Sequence, residues 1–325
     1  MIEVLSLPPL ATVQDLGRDG FWQQGLGRAG AMDPMSHSLA NLMLGNDANA
    51  ATLEIPLSPA RFQFVERTAF ALVGAACDAR LDGRALPRVF AGIADKNQVL
   101  ELGVMTQGAR VYLALSGGID VAVVLGSRST QLREGFGGFE GRVLAQGDRL
   151  VPATNSLPKL PKNGLSLSLP PLRSEQSSDI VLRALPSTEH DSFSSEALSA
   201  FWSAPYVITP QSNRQGYRFE GPELDRASQG ELRSHGIVPG IVQVPGGGQP
   251  IIQLADSATM GGYPKIAAVI EQDLWRIGQA RPGDAVRFEK ITLEAAAQAV
   301  ADEASLRVQY CDDLDVMRTQ ITGWT

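Results

Sequence analysis

The sequence predicts a mainly β protein, built from two related β-rich domains with a few short helices and a C-terminal helix. Glycine and proline are frequent, at 33 and 20 of 325 residues, which favours many turns and therefore many short strands. The apolar runs are short and rich in β-branched residues, as in Ile241–Val244 and Ile251–Leu254, a pattern typical of buried strands. A weak repeat that relates Thr12–Phe21 to Thr209–Tyr217 indicates a duplication.

The repeat pairs Arg18 with Arg214, with one deletion in the second copy. Each copy is followed much later by a Gly-Asp turn before an apolar strand, at 147–148 and at 283–284. Duplication of one domain explains both features. Chance similarity across a short segment is the alternative.

We predict a first domain at residues 1–155 and a second domain at 179–325. Proline, serine and leucine dominate the segment between them, residues 156–178, and its periodicity is lost. Such a composition is typical of a linker or an irregular surface segment.

In the first domain, residues 2–7 are expected to form a short edge strand. Asp33 suits the N-cap of a helix, Pro34 suits its first position, and Gly45 can end it. Asp82-Gly83 is a good hairpin turn between strand-like runs. Further strands are predicted at 69–73, 79–81, 99–102, 110–115 and 149–151.

In the second domain, Ser194 or Ser195 can cap a short helix that carries apolar residues at helical spacing. Thr292 opens an alanine-rich C-terminal helix that is expected to continue through about Tyr310. Its charges are interspersed, which favours packing of one face on the body of the protein. Strands are predicted at 180–185, 206–208 and 286–288.

Charge and composition exclude several classes of protein. The net charge is −7 and the pI is near 5.1, so nucleic acid is not an expected partner. The two cysteines, Cys77 and Cys311, exclude a disulfide framework. The first residues lack the basic segment and apolar core of a secretory signal, and no apolar run approaches the roughly 18–20 residues that span a bilayer. We expect a soluble, cytoplasmic protein with no membrane contact.

Several common functional motifs are absent from the sequence. The three histidines are far apart, without HExxH or Cys-x-x-Cys spacing, so a zinc site is not expected. His37 is expected on the solvent side of its helix. His235 lies beside a glycine-rich stretch, where both a functional and a structural role are open. There is no P-loop, no G-x-S-x-G elbow and no dinucleotide-binding fingerprint in register.

The stretch Gln243–Lys265 is the strongest candidate for a binding wall, because it combines dense glycine with polar side chains. Glycine allows close approach of a ligand to exposed backbone N–H groups. Ser127–Thr130 directly follow Gly126 and offer hydroxyls, an arginine and backbone amides. They predict a carboxylate or phosphate cradle, with a hydroxyl-capped turn as the alternative. Four arginines in glycine-rich turns suit bidentate carboxylate binding, with surface salt bridges as the alternative: Arg18, Arg128, Arg214 and Arg218.

Nine segments stand in the same order as in one protein family. They are TVQDLGRDGFWQQG from Thr12, GAMD from Gly30, GND from Gly45, LGSRST from Leu125, GGFEGR from Gly137, QSNRQGYRFEG from Gln211, SHGIVPGIVQVP from Ser234, GQPI from Gly248 and GGYPKI from Gly261. The chain therefore resembles the family variously called the 5-oxoprolinase C subunit, KipA, allophanate hydrolase subunit 2 or biotin-dependent carboxyltransferase-like. The bacterial 5-oxoprolinase C subunit resembles it best among the named members, and the resemblance runs from about Val4 to Phe288.

The resemblance implies two cyclophilin-like β-barrel domains. It implies one component of an ATP-dependent 5-oxoprolinase, which converts 5-oxoproline, ATP and water to glutamate, ADP and phosphate. In this family, the C subunit pairs directly with a KipI-like B subunit, and the pair works with an A subunit in a hetero-oligomer. ATP is then bound by the complex, and this chain need not contact it. No metal site is expected in this chain.

Two other activities are compatible with the resemblance. One is the carboxyltransferase half of an enzyme that moves a carboxyl group from carboxybiotin to urea or a related amide. This chain has no Met-Lys-Met biotinyl motif, so the biotin carrier would be another chain. The other is a non-catalytic regulator of the KipA type, which binds a kinase inhibitor and consumes no substrate.

The preferred hypothesis assigns roles to particular residues that would orient and activate a small carboxylate or lactam. The expected catalytic residues are Lys265 for charge stabilisation, Asp256 for polarisation or proton handling, Arg214 and Tyr217. The expected substrate-binding residues are Gln14, Arg18, Ser127, Arg128, Ser129, Thr130, Gln211, Asn213, Arg218, Gln243, Gln249, Thr259, Gly261, Gly262 and Tyr263.

One segment departs from the family pattern. Relatives usually have a polar Gln-Thr-Thr before GGYP, whereas this chain has Ala258 in place of the amide and Met260 in place of the second threonine. If the family's glutamine contacts substrate, this protein binds a different substrate or relies on other residues. Ser257–Met260 is therefore where substrate specificity is expected to differ.

Overall fold

Short strands form most of the structure, which confirms the predicted mainly β fold. The computed structural model describes residues 1–57, 59–169, 171–172, 178–227 and 232–322. The chain divides into two units of separate segments: unit 1 comprises Met1–Arg18, Ala29–Pro170 and Ser305–Thr325, and unit 2 comprises Asp19–Arg28 and Pro171–Ala304. Residues 170 and 173–177 of the predicted linker lie outside the described residues, and the predicted domain limits stay a prediction.

Unit 1 holds one half-barrel sheet of nine strands within the described residues. The strands are β1 (Ile2–Ser6), β2 (Thr12–Gln14), β3 (Thr52–Pro56), β4 (Ala60–Phe64), β5 (Thr68–Leu81), β6 (Arg84–Ala85), β7 (Phe90–Ala94), β8 (Val99–Leu115) and β9 (Arg149–Leu150). The main path runs β2-β3-β8-β4-β1-β9, and β5 pairs with β6, β7 and β8. Because β1 pairs with both β4 and β9, the prediction of an edge strand at residues 2–7 was wrong.

Two strands of unit 1 are longer than predicted. Each of β5 and β8 was expected as two short strands, but each is continuous. Register shifts between Gly74 and Ala79 keep the two strands paired through the glycine-containing segment, as β-bulges do. Gly74 has a φ of +131°, and a Cβ there would overlap the carbonyl oxygen of Arg110. Gly74 therefore permits close approach of the two strands.

The first helix, α1 (Pro34–Leu44), begins and ends where the sequence predicts. The Asp33 carboxylate accepts a hydrogen bond from the backbone N–H of Ser36 at 2.9 Å, and Gly45 ends the helix in the left-handed conformation. The expectation for His37 was wrong: its side chain is 0% exposed and its Nδ1 lies 2.8 Å from Thr52 Oγ1. The helix is covered on this side as well, and burial lowers the pKa of His37 to about 4.

Unit 2 contains a closed seven-stranded barrel in the described part of the chain. Its strands, and two short ones beside it, are β10 (Ile180–Pro186), β11 (Tyr206–Ile208), β12 (Gly216–Glu220), β13 (His235–Gly236), β14 (Ile241–Gln243), β15 (Ile251–Gln253), β16 (Met260–Gly261), β17 (Lys265–Val269) and β18 (Ala285–Lys290). The barrel order is β10-β17-β14-β15-β12-β11-β18, closed by parallel pairing of β10 with β18. The short strands β13 and β16 pair only with each other among the described strands.

Three further α-helices complete the described structure: α2 (Ser195–Ser203), α3 (Leu274–Gly278) and α4 (Leu293–Thr322). Ser194 caps α2, and Phe201 of this helix stacks on Phe288 with ring centroids 4.6 Å apart. Helix α4 extends well beyond the predicted end near Tyr310. Single-turn 3-10 helices occur at Trp22–Gln24, His190–Ser192 and Glu271–Asp273. In the described part of the chain, no helix is both long and apolar enough to cross a membrane.

The Gly-Asp turns of the repeat have the same hydrogen bonds in both units. Asp148 accepts a bond from the backbone N–H of Ala145 and donates its own N–H to that residue's carbonyl. Asp284 does the same with Arg281. Each turn leads into a strand of its own sheet. This part of the sequence repeat is therefore also a repeat in the structure.

Candidate functional site

A small pocket on unit 2 collects many of the predicted binding residues. Its volume is about 270 Å³, slightly below the ~300–1,000 Å³ of typical sites for drug-sized ligands, which suits a small metabolite. We name it the amide pocket, because most of its polar side chains are amides. The predicted residues that line it are Gln211, Asn213, Arg218, Gln243, Gly261, Gly262 and Tyr263.

Strand alternation places these side chains on one face of the barrel wall. Tyr217, Ile252 and Val242 lie opposite one another across β12, β15 and β14, and all three are buried. Because side chains alternate along a strand, their neighbours point to the other face. Those neighbours include Arg218 and Gln253, which line the amide pocket.

Two glutamines in the pocket form a hydrogen-bonded chain. Gln243 donates through Nε2 to the carbonyl oxygen of Tyr263 at 3.3 Å, and Gln253 donates through Nε2 to Gln243 Oε1 at 3.0 Å. A carbonyl oxygen can only accept, so the Tyr263 carbonyl fixes the orientation of the first amide and, through it, of the second. Gln253 Oε1 is then the open end of the chain. No described residue donates a hydrogen bond to it.

Glycine makes this arrangement possible. A Cβ at Gly261 would lie 2.7 Å from Gln243 Nε2, so any other residue would displace the glutamine. The adjacent residue Met260 and the nearby Ala258 also line the pocket. These two residues, where the sequence analysis expects a departure from the family pattern, therefore border the candidate site. A role of this segment in specificity stays a prediction.

Arg218 is the cation of the amide pocket. Its backbone N–H binds Ser212 Oγ at 3.0 Å, whereas its guanidinium has no ion pair or side-chain hydrogen bond within the described residues. An exposed arginine that lacks a protein carboxylate partner is suited to an anionic ligand, because its planar fork binds carboxylates in two places.

Lys265 lies beside this pocket in a cluster with His235 and Glu189. Its side chain is only 2% exposed, and its Nζ lies 2.6 Å from His235 Nε2. The same ring nitrogen lies 3.3 Å from Glu189 Oε1. The other carboxylate oxygen of Glu189 accepts the backbone N–H of Lys265 at 3.0 Å. Lys265 pairs with Gln243 across β17 and β14, which joins the cluster to the pocket wall.

The cluster changes the proton affinity of the lysine. Burial lowers the pKa of the Lys265 ammonium below its usual value, and the negative charge of Glu189 opposes this effect. His235 Nε2 can accept a hydrogen bond from a charged Lys265 or donate one to Glu189, and it cannot do both in one tautomer.

Other predicted residues of unit 2 are engaged in the protein itself. Arg214 binds Asp256 through two hydrogen bonds of 2.9 and 3.0 Å, and both residues are buried. Tyr217 lies in the barrel wall, where its hydroxyl is 3.4 Å from the carbonyl oxygen of Ala280. Gln249 binds both backbone groups of Gly221, and the carbonyl of Thr259 accepts the N–H of Ile237. None of these predicted residues lines the amide pocket.

The predicted cradle in unit 1 holds a carboxylate that belongs to the chain. Asp15 Oδ1 accepts hydrogen bonds from Ser127 Oγ at 2.6 Å, Ser129 Oγ at 2.5 Å and the N–H of Gly17 at 2.8 Å. Its Oδ2 accepts the backbone N–H of Arg128 at 2.5 Å. The hydroxyls and amides thus have the geometry of a carboxylate cradle, and Asp15 is their ligand in this structure.

The remaining predicted residues of unit 1 surround this cradle. Arg18 donates to the carbonyl of Ser129 at 2.6 Å and lies 4.9 Å from the ring centre of Phe136. Gln14 is fully buried and donates to Thr12 Oγ1. Thr130 donates its hydroxyl to the carbonyl of Val13 at 2.8 Å. The predicted residues of unit 1 therefore form one group around Asp15, whereas those of unit 2 are divided between the pocket lining and other contacts.

Three residues of these groups were missed by the sequence reasoning: Glu189, Gln253 and Asp15. Asp15 and Gln253 lie inside segments that the sequence analysis singled out, the repeat that begins at Thr12 and the stretch Gln243–Lys265. The composition of these segments could have pointed to both residues. Glu189 lies 76 positions from Lys265, and no local pattern connects the two. In the part of the chain that the structure describes, no group of three or more His, Cys, Asp or Glu could hold a metal ion.

A larger cavity borders the amide pocket at Gly262 and Tyr263. Its volume is about 1020 Å³, and it is also lined by Leu224–Arg226 and Val244–Gly246. Apart from the shared residues, it contains none of the predicted binding residues. The convergence of amides and an arginine makes the smaller pocket the stronger candidate.

Comparison with known proteins supports the same family as the sequence motifs. Over 303 residues the chain is 42% identical to the 5-oxoprolinase C subunit of Escherichia coli K12, covering 93% of this chain and 95% of that protein. It is 37% identical to the 5-oxoprolinase C subunit of Haemophilus influenzae, covering 92% of this chain and 94% of that protein. The crystal structure of Kluyveromyces lactis urea carboxylase has a TM-score of 0.85 at 28% identity, over 97% of this chain and 29% of that chain.

The family assignment rests on most of the chain. Residues 24–290 match the family described as carboxyltransferase domain, subdomain A and B. This range includes the closed barrel, the amide pocket and the Lys265 cluster. The chain therefore belongs to the carboxyltransferase domain family, subdomain A and B.

Proposed function

We propose that this chain is one component of a cytoplasmic, ATP-dependent 5-oxoprolinase that acts with a KipI-like B subunit, together with an A subunit. The observation that carries the proposal is the amide pocket, in which Arg218 and a row of amides converge next to the buried Lys265. The near full-length similarity to two bacterial proteins named as the C subunit of 5-oxoprolinase supports it. The complex binds ATP, and this chain contributes to binding and activation of the lactam.

The chemistry of the substrate matches the groups in and beside the pocket. 5-Oxoproline is a five-membered lactam with a carboxylate next to its ring nitrogen. Addition of water to the lactam carbon places negative charge on the lactam oxygen before the ring C–N bond breaks, and a fixed cation near that oxygen stabilises the charge. Lys265 is our candidate for this role. Arg214 and Asp256 bind each other, and in this proposal they hold the loop that carries Asp256 and Ser257 against the barrel.

The direct test is 5-oxoproline-dependent ATP hydrolysis by the purified chain mixed with its B and A partners. We expect glutamate and ADP to form in equal amounts, and only when this chain is present. Absence of turnover with all three proteins present rules the activity out. Tight binding to the B partner without consumption of substrate would instead indicate the regulatory function.

Carboxyl transfer is the second candidate, and the family match and the likeness to a urea carboxylase favour it. In this reading the amide pocket takes urea or a related amide, and carboxybiotin arrives on another chain. Carboxylation of urea by the chain together with a biotin carboxylase and a carrier protein tests this function. Failure with urea and with simple amides excludes it.

A further inference from the structure

We propose that the amide pocket recognises a small acid that also carries an amide N–H, and that two protein groups each bind a different part of this ligand. The guanidinium of Arg218 binds the carboxylate of the ligand. Gln253 Oε1 accepts the hydrogen bond from its N–H group. This inference rests on the proposed function for treating the pocket as a substrate site, and it adds which protein group recognises which part of the substrate.

The orientation of Gln253 is the first step of the argument. An amide side chain in a pocket can present either its oxygen or its nitrogen. Here the chain of hydrogen bonds begins at the Tyr263 carbonyl and passes through Gln243 to Gln253 Nε2. Because the nitrogen of Gln253 is engaged, the oxygen is the atom offered to a ligand. An acceptor oxygen in the pocket favours ligands that donate a hydrogen bond. A small acid that also contains an amide N–H can donate one.

Burial of Gln243 strengthens the preference of the pocket for a hydrogen-bond donor. Gln243 is only 3% exposed, and Gly261 lies directly against its amide. Rotation of the Gln253 amide alone would place its Oε1 against Gln243 Oε1. Rotation of both amides would place Gln243 Oε1 against the Tyr263 carbonyl oxygen. Either change brings two acceptor oxygens together and leaves a buried group without a donor. Such unsatisfied groups are costly, typically about 1–3 kcal/mol each. The acceptor character of the pocket is therefore built into its wall.

The relative position of the two groups suits one small ligand. Gly216 lies opposite Gln253 across β12 and β15, and Arg218 is two residues further along β12. Diagonal neighbours of this kind lie roughly 7–8 Å apart at the backbone, within reach of an arginine side chain. A Cβ at Gly216 would lie 2.7 Å from the carbonyl oxygen of Ile252, so glycine allows the close approach of β12 and β15 at this point. A ligand whose carboxylate and N–H are on adjacent atoms can contact both groups.

The apolar part of the lining suits the rest of such a ligand. Ile237, Ile251 and Met260 line the same pocket. Their side chains can cover ring methylene groups while the polar groups hold the two ends. Urea lacks both a carboxylate and methylene groups, so it would leave Arg218 without an anion.

Matched ligands test each contact separately. The probes are 5-oxoproline, its lactone analogue 5-oxotetrahydrofuran-2-carboxylate, which replaces only the N–H by oxygen, and 5-oxoprolinamide, which lacks the carboxylate. Equilibrium binding is measured by calorimetry on the full chain, alone and mixed with its B partner. We expect the wild-type protein to prefer 5-oxoproline over either analogue by about tenfold or more, since each analogue loses one directed hydrogen-bonding contact.

Variants show whether the named atoms cause these preferences. In Gln253→Met the preference for lactam over lactone falls to near one, while the preference for acid over carboxamide remains. In Arg218→Gln the pattern is reversed. Gln298→Met and Arg67→Gln make the same chemical changes at residues that do not line the pocket, and both preferences are retained in them. A purely structural role of Gln253 or Arg218 would weaken all three ligands together.

The outcomes separate this inference from the proposed function. If the three-protein mixture turns over 5-oxoproline but Gln253→Met keeps the full lactam preference in KM, the inference is overturned and the function stands. If no mixture turns over 5-oxoproline while binding shows both preferences, the function is overturned and the inference stands. Failure of the wild-type chain to bind 5-oxoproline, alone and with its B partner, overturns the inference.

Discussion

Nζ of Lys265 lies 2.6 Å from Nε2 of His235, and that ring nitrogen is itself 3.3 Å from the Glu189 carboxylate. The imidazole ring of His235 thus lies between a cation and an anion near the start of β17. The lysine is buried, the histidine is partly exposed and the carboxylate is mostly covered. His235 is therefore the most exposed of the three groups.

Replacing Lys265 by methionine is expected to reduce kcat by about 100-fold or more, because loss of one preorganised charge-stabilising group typically costs that much. The measurement is 5-oxoproline-dependent ADP release by the three-protein mixture. Lys290→Met is the matched control, since Lys290 is exposed and lies 6.0 Å from the Trp202 ring centre, outside the cluster. A folded Lys265→Met protein with near wild-type kcat would contradict the proposed role.

Replacing Glu189 by glutamine is expected to shift the alkaline limb of the kcat–pH profile to lower pH. The lysine acts as a cation, so activity falls as pH rises through its pKa, which burial holds below the usual 10.5. The Glu189 charge raises that pKa, so its removal lowers the pKa further. Glu271→Gln, in an exposed pair with Arg28, serves as control and should leave the limb in place. An unchanged limb in Glu189→Gln would argue against control of activity by the Lys265 charge.

Asp256→Ala is expected to lower the free energy of unfolding by about 3–5 kcal/mol, because it leaves the buried Arg214 guanidinium without its bidentate carboxylate. Urea denaturation at pH 7 measures the change. Asp191→Ala, at a fully exposed carboxylate, should change it by less than about 0.5 kcal/mol. An Asp256→Ala protein of normal stability but without turnover would show that Asp256 takes part in the chemistry instead.

Asp15→Ala is expected to destabilise unit 1 and to create a site for a small carboxylate. The mutation removes an acceptor of four hydrogen bonds, and each bond to a charged group typically contributes about 1.5–3 kcal/mol. Acetate should raise the melting temperature of the variant and leave the wild-type protein unchanged, because ligand binding to the native state stabilises it. Sodium chloride at equal ionic strength is the control. Equal responses to acetate and chloride would show that the vacated cradle does not bind carboxylates.

His37 should make the protein less stable as pH falls from 6.5 towards 4. Its pKa is about 4 in the folded protein against 6.5 for the free group. Between these values the unfolded chain binds more protons, so acidification favours unfolding. The loss between pH 7.5 and pH 5 is about 2 kcal/mol. It is measured as the difference in pH dependence of unfolding between wild type and His37→Gln. Parallel curves for the two proteins would mean that His37 is not held neutral.

Local signals predicted much of the fold. Asp33, Pro34 and Gly45 act within one helix, so their sequence fixes its ends without knowledge of the rest. His37 was misplaced because a helix pattern shows which face is most apolar, and cannot show that a sheet also covers the polar face. The long strand β5 was predicted as two short strands, because a local pattern cannot show the register shifts that keep β5 paired with β8 through residues 74–79.

The candidate site was predictable only in part. The stretch from Gln243 to Lys265 carries several pocket residues within about twenty positions, so its composition was informative. Gln253 became distinctive only through its hydrogen bond to Gln243, which depends on amide orientation. Arg214 and Arg218 are four residues apart and look alike in sequence. Arg214 precedes β12 and binds Asp256, whereas Arg218 lies on β12 and lines the pocket. This difference depends on where the strand begins and on a partner 42 positions along the chain.

Each unit contains a segment from the other part of the chain, and this limits where the polypeptide could be divided. Asp19–Arg28 lies early in the chain but belongs to unit 2, where Arg28 bonds to Glu271 at 2.9 Å, and Ser305–Thr325 lies at the other end but belongs to unit 1. Splitting the gene between residues 170 and 171 would give each product a piece of the other's fold. Neither product would then contain a complete unit, so we expect neither half to fold as its unit does in the intact chain.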